Sequence, residues 1–230
     1  MKTIGLIGGL SWESSIEYYR IVNELVAKRL GGQHSCQCVM YSVDLDPILI
    51  LRDEDNWDKL NEIMKDAVLK VEAAGADFSV ICSNTMHKSV DFIKDEVSKP
   101  ILHITDVTGA AINAMGLKNI GLMGTKFTLT QDFYSKRLQE KFGLNIIIPD
   151  EDDILFMHHV IYDELDFGVL NPASKQRFVE IIARLKAKGA EGVILGCTEI
   201  PLLVQQQDAD IPLFDTTTLH ATAAVDLALA

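Results

Sequence analysis

The chain has 230 residues, 48% of them hydrophobic, which is enough to bury a sizeable core in one large or two small domains. Its formal net charge is −12 with no long basic run, which argues against nucleic acid or an anionic membrane surface as its partner. No segment is apolar for long enough to cross a membrane, and the four cysteines (Cys36, Cys38, Cys82 and Cys197) have neither C-x-x-C spacing nor the pattern of a disulfide framework, so free thiols in a reducing cytoplasm are expected.

Met1-Lys2-Thr3 followed by "IGLIGGL" could pass for the start of a signal peptide. The apolar stretch is short, is broken by Gly5, Gly8 and Gly9, and ends in "SWESSIEYYR", so it reads as a first strand and turn. Further strands are expected at Val39–Val43, Phe78–Cys82, Ile101–Ile104, Asn119–Gly124, Asn145–Ile148, Gly192–Gly196 and Ile211–Phe214. Helical spacing joins Trp57, Leu60, Met64, Ala67, Val68 and Val71 in one stripe and Phe178, Ile181, Ile182 and Leu185 in another. Each stripe runs into a glycine, Gly75 or Gly189, the usual residue just past a helix end. The acidic run at 150–153 reads as a solvated loop, and His158 and His159 fall in a helix, where adjacent residues diverge too far to share a metal. Strand–helix alternation predicts an α/β fold with parallel sheets.

Internal repetition sharpens this expectation. "MKTIGLIGG" (1–9) resembles "LKNIGLMGT" (117–125), "GADFSVICSNT" (75–85) resembles "GAEGVILGCTE" (189–199), and "PILHIT" (100–105) loosely resembles "PLFDTT" (212–217). Three matches in the same order at nearly one offset predict two similar α/β halves. They are expected over residues 1–103 plus 215–230 and over 104–214.

Setting Gly75 on Gly189 places Asp77 on Glu191, Ser83 on Cys197 and Asn84 on Thr198. Ser83, rather than Cys82, is therefore the counterpart of Cys197, and both close a strand at the carboxyl end, where parallel α/β sheets bind ligands. Cys36, Cys38 and Cys82 read as space-filling thiols. Cys197 stands at a turn among polar groups, where a thiolate can be stabilised.

The stretches "MKTIGLIGGLSWESS", "CSNTMHK" (82–88), "GLMGTKFT" (121–128) and "VILGCTEIPLL" (193–203) resemble the aspartate/glutamate racemase family, cofactor-independent amino-acid racemases, over essentially the whole chain. The resemblance implies two pseudo-symmetric α/β domains with the active site in the cleft between them, one acid/base residue from each, neither pyridoxal phosphate nor metal, and commonly a homodimer. The family's usual pattern is a cysteine on each side of the substrate α-carbon. Here Ser83 stands directly before "NT", where most members carry the cysteine. Some members with a hydroxyl residue there are linked with one-sided handling of L-aspartate and L-glutamate.

Several residues are candidates for holding the substrate. Gly8-Gly9-Leu10-Ser11 leads into a helix, where backbone N–H groups bind a carboxylate; Ser11 is equally an ordinary N-cap. The spacing is not G-x-G-x-x-G, which disfavours a dinucleotide. The resemblance favours Asn84, Thr85, Thr125 and Thr128 as donors to substrate carboxylates. Arg52 suits a bidentate carboxylate clamp, or an ion pair with its acidic neighbours. Some relatives carry a lysine near the position of Asp166. Thr198 and Glu199 follow Cys197, and Glu199 either orients the thiol or the substrate ammonium, or serves as an acid at a helix start. His87, His103 and His220 read as structural groups able to assist proton transfer. The expected function is racemisation of aspartate, glutamate or similar amino acids, with Cys197 as principal acid/base and Ser83 on the opposite face. The alternatives are a decarboxylase or cis–trans isomerase of the same fold relying on Cys197 alone, and an amino-acid binding protein with vestigial chemistry.

Overall fold

The computed structural model describes all 230 residues, which divide into two compact units, Met1–Ile104 with His220–Ala230, and Thr105–Leu219. In chain order the first unit holds β1 (Ile4–Gly8), α1 (Trp12–Leu30), β2 (Cys38–Ser42), α2 (Leu45–Asp53), α3 (Trp57–Ala73), β3 (Phe78–Ile81), a 3-10 turn at Thr85–Ser89 and α4 (Val90–Ile93). The second holds α5 (Ile104–Ala114, opening at the boundary), β4 (Asn119–Met123), α6 (Lys126–Thr130), α7 (Asp132–Phe142), β5 (Asn145–Ile147), α8 (Glu151–Asp163), α9 (Pro172–Ala187), β6 (Gly192–Leu195), α10 (Ile200–Leu203) and β7 (Leu213–Asp215). The last helix, α11 (Thr216–Leu229), starts in the second unit and ends in the first.

Each unit contains one wholly parallel sheet, ordered β2-β1-β3 in the first and β5-β4-β6-β7 in the second. The expected α/β fold of two parallel-sheet domains is the observed one. Because side chains alternate along a strand, the first sheet feeds two cores. Ile4, Leu6, Phe78, Val80 and Cys82 pack with Tyr18, Val22 and Val26 of α1 and with Ala221, Ala224 and Val225 of α11. Ile7 and Ile81 face the other way, onto Leu60, Met64, Ala67, Val68 and Val71 of α3. In the second unit the α9 stripe of Phe178, Ile181, Ile182 and Leu185 is buried, and α9 packs on β4 and β6. Full burial of each such side chain contributes about 1.5–3 kcal/mol.

The repeat survives at the level of single hydrogen bonds. Asp77 accepts the Thr3 amide (2.7 Å), and its counterpart Glu191 accepts the amides of Lys118 (2.8 Å) and Asn119 (2.7 Å). Ser79 donates its amide to the Pro100 carbonyl (2.9 Å) as Val193 does to that of Pro212 (2.8 Å). Gly75 and Gly189 have φ of 97° and 99°, and the amides that follow them, Ala76 and Ala190, both reach back to α3 and α9 at 3.0 Å, to Val71 and Leu185. The same helix-to-strand turn is thus made twice.

Two expectations are corrected. The strand predicted at Ile101–Ile104 is a single bridge between Ser79 and Ile101. After Leu102 donates to the Ser79 carbonyl, the Ile104 amide goes to His87 Nε2 (3.2 Å) and α5 begins, so no ladder continues. The acidic run at 150–153 is not a loop. Asp150 is the N-cap of α8 and the other three residues form its first turn, where negative charge meets the positive end of the helix dipole. Asp153 is buried there and takes a two-pronged bond from Arg184 (2.8 and 2.9 Å).

Candidate active site

In the second unit, β6 ends at Leu195 and the chain passes through Gly196 to Cys197. The Gly196 amide donates to the Met123 carbonyl at 2.7 Å, and a Cβ at Gly196 would stand 2.7 Å from that same backbone oxygen. Only glycine lets β4 and β6 approach so closely at the point where the thiol is presented. A Cβ there would also lie 3.7 Å from Thr128, which places Thr128 beside the Cys197 turn.

Cys197 is buried, and its Sγ donates to Glu199 Oε2 at 2.8 Å. Thr198 donates its hydroxyl to the same carboxylate at 3.0 Å, and the Thr198 carbonyl accepts the Thr217 hydroxyl at 3.4 Å. Burial pushes the thiol well above its ordinary pKa, and the negative charges of Glu199 and then Asp166 push the same way. Asp166 acts from the 3-10 turn Leu165–Phe167, which packs against α10, the helix that begins just after Glu199. The resting group is therefore a neutral thiol hydrogen-bonded to a carboxylate. Thr125, the N-cap of α6, lies with its hydroxyl 3.3 Å from that of Thr128 and accepts the Thr128 amide at 3.4 Å, and both residues are buried.

In the first unit, β3 ends at Ile81. Cys82 lies on the face of Phe78 and Val80 and is fully buried among apolar neighbours, which push its thiol up. Ser83 is not in that cluster. Its Oγ accepts the Met86 amide at 3.4 Å and its carbonyl accepts His87 Nδ1–H at 2.6 Å. Since His87 Nε2 accepts the Ile104 amide, both ring nitrogens are engaged and the ring is neutral. His220 is held likewise. Its Nε2–H donates to the Leu102 carbonyl (2.9 Å), so its Nδ1 accepts the Tyr18 hydroxyl (2.9 Å). Burial above all brings His220 down to about 3. The rings of His103 and His220 both lie against His87, with centroids 4.8 and 5.4 Å away. Spacing along the chain gave no sign of this stack beneath Ser83.

Asn84 and Thr85 open the 3-10 turn after Ser83 and are buried. Ser11 is the N-cap of α1, accepting the Ser14 amide at 3.4 Å, and its carbonyl accepts the Ser15 hydroxyl at 2.7 Å. That hydroxyl in turn accepts the Gly9 amide (2.8 Å), which closes the glycine turn. Arg52 is buried with 6% of its side chain exposed, and its guanidinium donates to Oδ1 of the exposed Asp53 at 2.8 and 3.0 Å. The first unit therefore gathers Ser83, Asn84 and Thr85 at one strand end, and the second gathers Cys197, Thr198, Glu199 and Thr128 at another.

Known proteins resemble the chain along its whole length. Residues 7–224 match the family described as Asp/Glu/hydantoin racemase. A crystal structure from Yersinia pestis, provisionally assigned as an Asp/Glu racemase, superposes with a TM-score of 0.92 at 45% identity over 100% of both chains. That of an aspartate racemase homologue from Pyrococcus horikoshii gives 0.87 at 32% identity, again over 100% of both. The broad-specificity amino-acid racemase RacX of Bacillus subtilis is 24% identical, covering 99% of this chain and 98% of its own. The match spans both strand ends and nearly all of both units: the chain belongs to the Asp/Glu/hydantoin racemase family and is an amino-acid racemase.

Proposed function

We propose that the chain racemises aspartate, glutamate or a related amino acid without a cofactor, by removing and returning the α-proton. In this reading Cys197 is the principal acid/base and Ser83 serves the opposite face of the α-carbon. The supporting observation is the Cys197–Glu199 pair, a buried thiol 2.8 Å from a carboxylate at the carboxyl end of a parallel strand. Burial and the negative charges of Glu199 and Asp166 oppose the thiolate. A substrate brings an α-ammonium, whose positive charge offsets those carboxylates and lowers the cost of the thiolate. The thiolate forms when substrate arrives, which favours proton transfer to and from carbon. Thr198 and Glu199 then orient the pair, and Ser11, Arg52, Asn84, Thr85, Thr125 and Thr128 are the proposed contacts for the rest of the substrate.

A serine hydroxyl is a far weaker acid than a thiol and needs assistance to act as a base. Ser83 suits returning a proton to a carbanion better than removing one. Free enantiomers have equal energies, so the asymmetry is one of rate. Exchange with solvent is fast from the enantiomer that presents its α-hydrogen to Cys197 and slow from its mirror image.

A screen of the common L- and D-amino acids for α-deuterium incorporation in D₂O, followed by NMR, tests the reading. Faster exchange of one enantiomer, with aspartate, glutamate or a close relative among the substrates, is expected. Equal rates for both enantiomers contradict the assigned roles, and no exchange with any amino acid contradicts the function.

A further inference from the structure

His87 is not among the residues assigned to the reaction, yet it holds the backbone that presents Ser83. Three bonds fix Ser83. Its amide donates to the Ile81 carbonyl (2.8 Å), its Oγ accepts the Met86 amide (3.4 Å), and its carbonyl accepts His87 Nδ1–H (2.6 Å). The backbone of the 3-10 turn does not serve that carbonyl. The Met86 amide is spent on the Ser83 hydroxyl, and the His87 amide on the Asn84 carbonyl (3.2 Å). Ser83 is buried, so its carbonyl depends on the His87 ring for a partner. The other ring nitrogen accepts the Ile104 amide (3.2 Å), one of the N–H groups that the start of α5 leaves without an intrahelical partner. The ring is itself buried and packs against those of His103 and His220. His220 is pinned in turn by Leu102 and Tyr18, so the imidazole of His87 is held on every side that the chain supplies.

We propose that His87 is a positioning residue for the reaction: by gripping the Ser83 carbonyl it sets where the Ser83 hydroxyl stands when a proton is returned to the α-carbon. The inference rests on the racemase reading above, with Ser83 on the face opposite Cys197. His87 acts through geometry and not as a proton relay, because its bond goes to the Ser83 carbonyl and not to the hydroxyl. Ser83 Oγ accepts from Met86 and so keeps its own hydrogen to give. Transfer to carbon requires that oxygen within about 3–3.5 Å of the reacting atom and correctly aligned. A Ser83 carbonyl without its donor turns to find another, and the Cα–Cβ bond and the hydroxyl move with it. The Ser83 face then loses rate. The Cys197 turn, fixed by the Gly196 amide on the Met123 carbonyl, keeps its own geometry.

Two substitutions separate the two ring nitrogens. In His87→Asn the side-chain N–H takes the place of Nδ1–H and still serves the Ser83 carbonyl, while the Ile104 amide loses its acceptor. In His87→Gln the longer side chain puts its carbonyl oxygen near the place of Nε2, which keeps the Ile104 amide and leaves the Ser83 carbonyl unserved. The readouts are α-deuterium wash-in from the fast enantiomer and its conversion to the mirror image, each as kcat and KM in D₂O. His87→Gln should lower kcat for conversion on the order of tenfold while changing wash-in by less than about twofold, and His87→Asn should keep the wild-type ratio of the two rates. Equal effects of the two substitutions on that ratio, or conversion and wash-in falling together, overturn the assignment. Wash-in by the wild type judges the racemase reading separately: its absence defeats that reading, whereas the ratio among the variants judges His87. Should a variant fail to fold, isotope-edited NMR of the ring nitrogens in the wild-type chain decides. A His87 ring protonated on Nδ1 supports the clamp, and one protonated on Nε2 overturns it.

Discussion

A thiol meant to accept a proton is usually poised by positive surroundings, whereas Cys197 is buried with a carboxylate on its sulfur and a second acting from Asp166. Thiolate is therefore the scarce form, and the rate of α-proton exchange should climb with pH into the alkaline range. Replacing Asp166 by Asn removes a negative charge that holds the thiol up, so the rising limb of the rate–pH profile should move to lower pH. A limb that stays in place or moves upward would show that Asp166 does not act on Cys197. The repeat made Cys197 and Ser83 legible as counterparts, since both sit at the same point of the duplicated strand. Asp166 was legible only as a missing lysine, because its influence depends on a 3-10 turn packing against α10, which no local pattern encodes. His220 gives a prediction on stability. Its folded pKa of about 3 lies below the ordinary 6.5, so between those values the unfolded chain binds the proton and the folded chain does not. Stability is full above pH 6.5 and falls as pH drops toward 3. Urea unfolding at a series of pH values should show this loss, and His220→Gln should flatten it; an unchanged slope would contradict the neutral, doubly bonded ring.

Elements carry the duplication, and glycines mark where it is most exacting. Gly75 and Gly189 adopt nearly the same positive φ, and at both an added methyl group would meet nothing within 4 Å, so alanine would cost backbone strain without a clash. Each replacement should destabilise by about 1–2 kcal/mol in urea unfolding, and by similar amounts in the two units. Gly196→Ala is a different case, because its Cβ meets backbone at 2.7 Å. A cost of about 1–3 kcal/mol is expected, together with loss of exchange activity as the Cys197 turn shifts. Helices α3 and α9 were readable from their apolar stripes and terminal glycines. The misread pieces were short and depended on distant partners. Ile101–Ile104 lost its ladder because a histidine ring takes the next amide, and the acidic run belongs to a helix start that Arg184 of α9 helps to hold.

For the molecule as a whole, three short matches at nearly one offset in the sequence correspond to two parallel sheets with equivalent strand pairs, β1 with β3 and β4 with β6. The repeat carried the architecture, while the reaction class rests on the family. The substrate is the least legible part. Arg52, the obvious carboxylate clamp, is engaged by Asp53, and an acid stands near the place where some relatives carry a lysine. The central claim is that carbon–hydrogen bond breaking runs through Cys197, with Ser83 handling the other face. The direct measurement is the rate of α-deuterium wash-in for each enantiomer of the best substrate, in the wild type, Cys197→Ala and Ser83→Ala. Cys197→Ala should lose about 10²-fold or more on the fast enantiomer, while Ser83→Ala should retain that exchange and suppress conversion to the other enantiomer. Undiminished wash-in by folded Cys197→Ala would contradict the account.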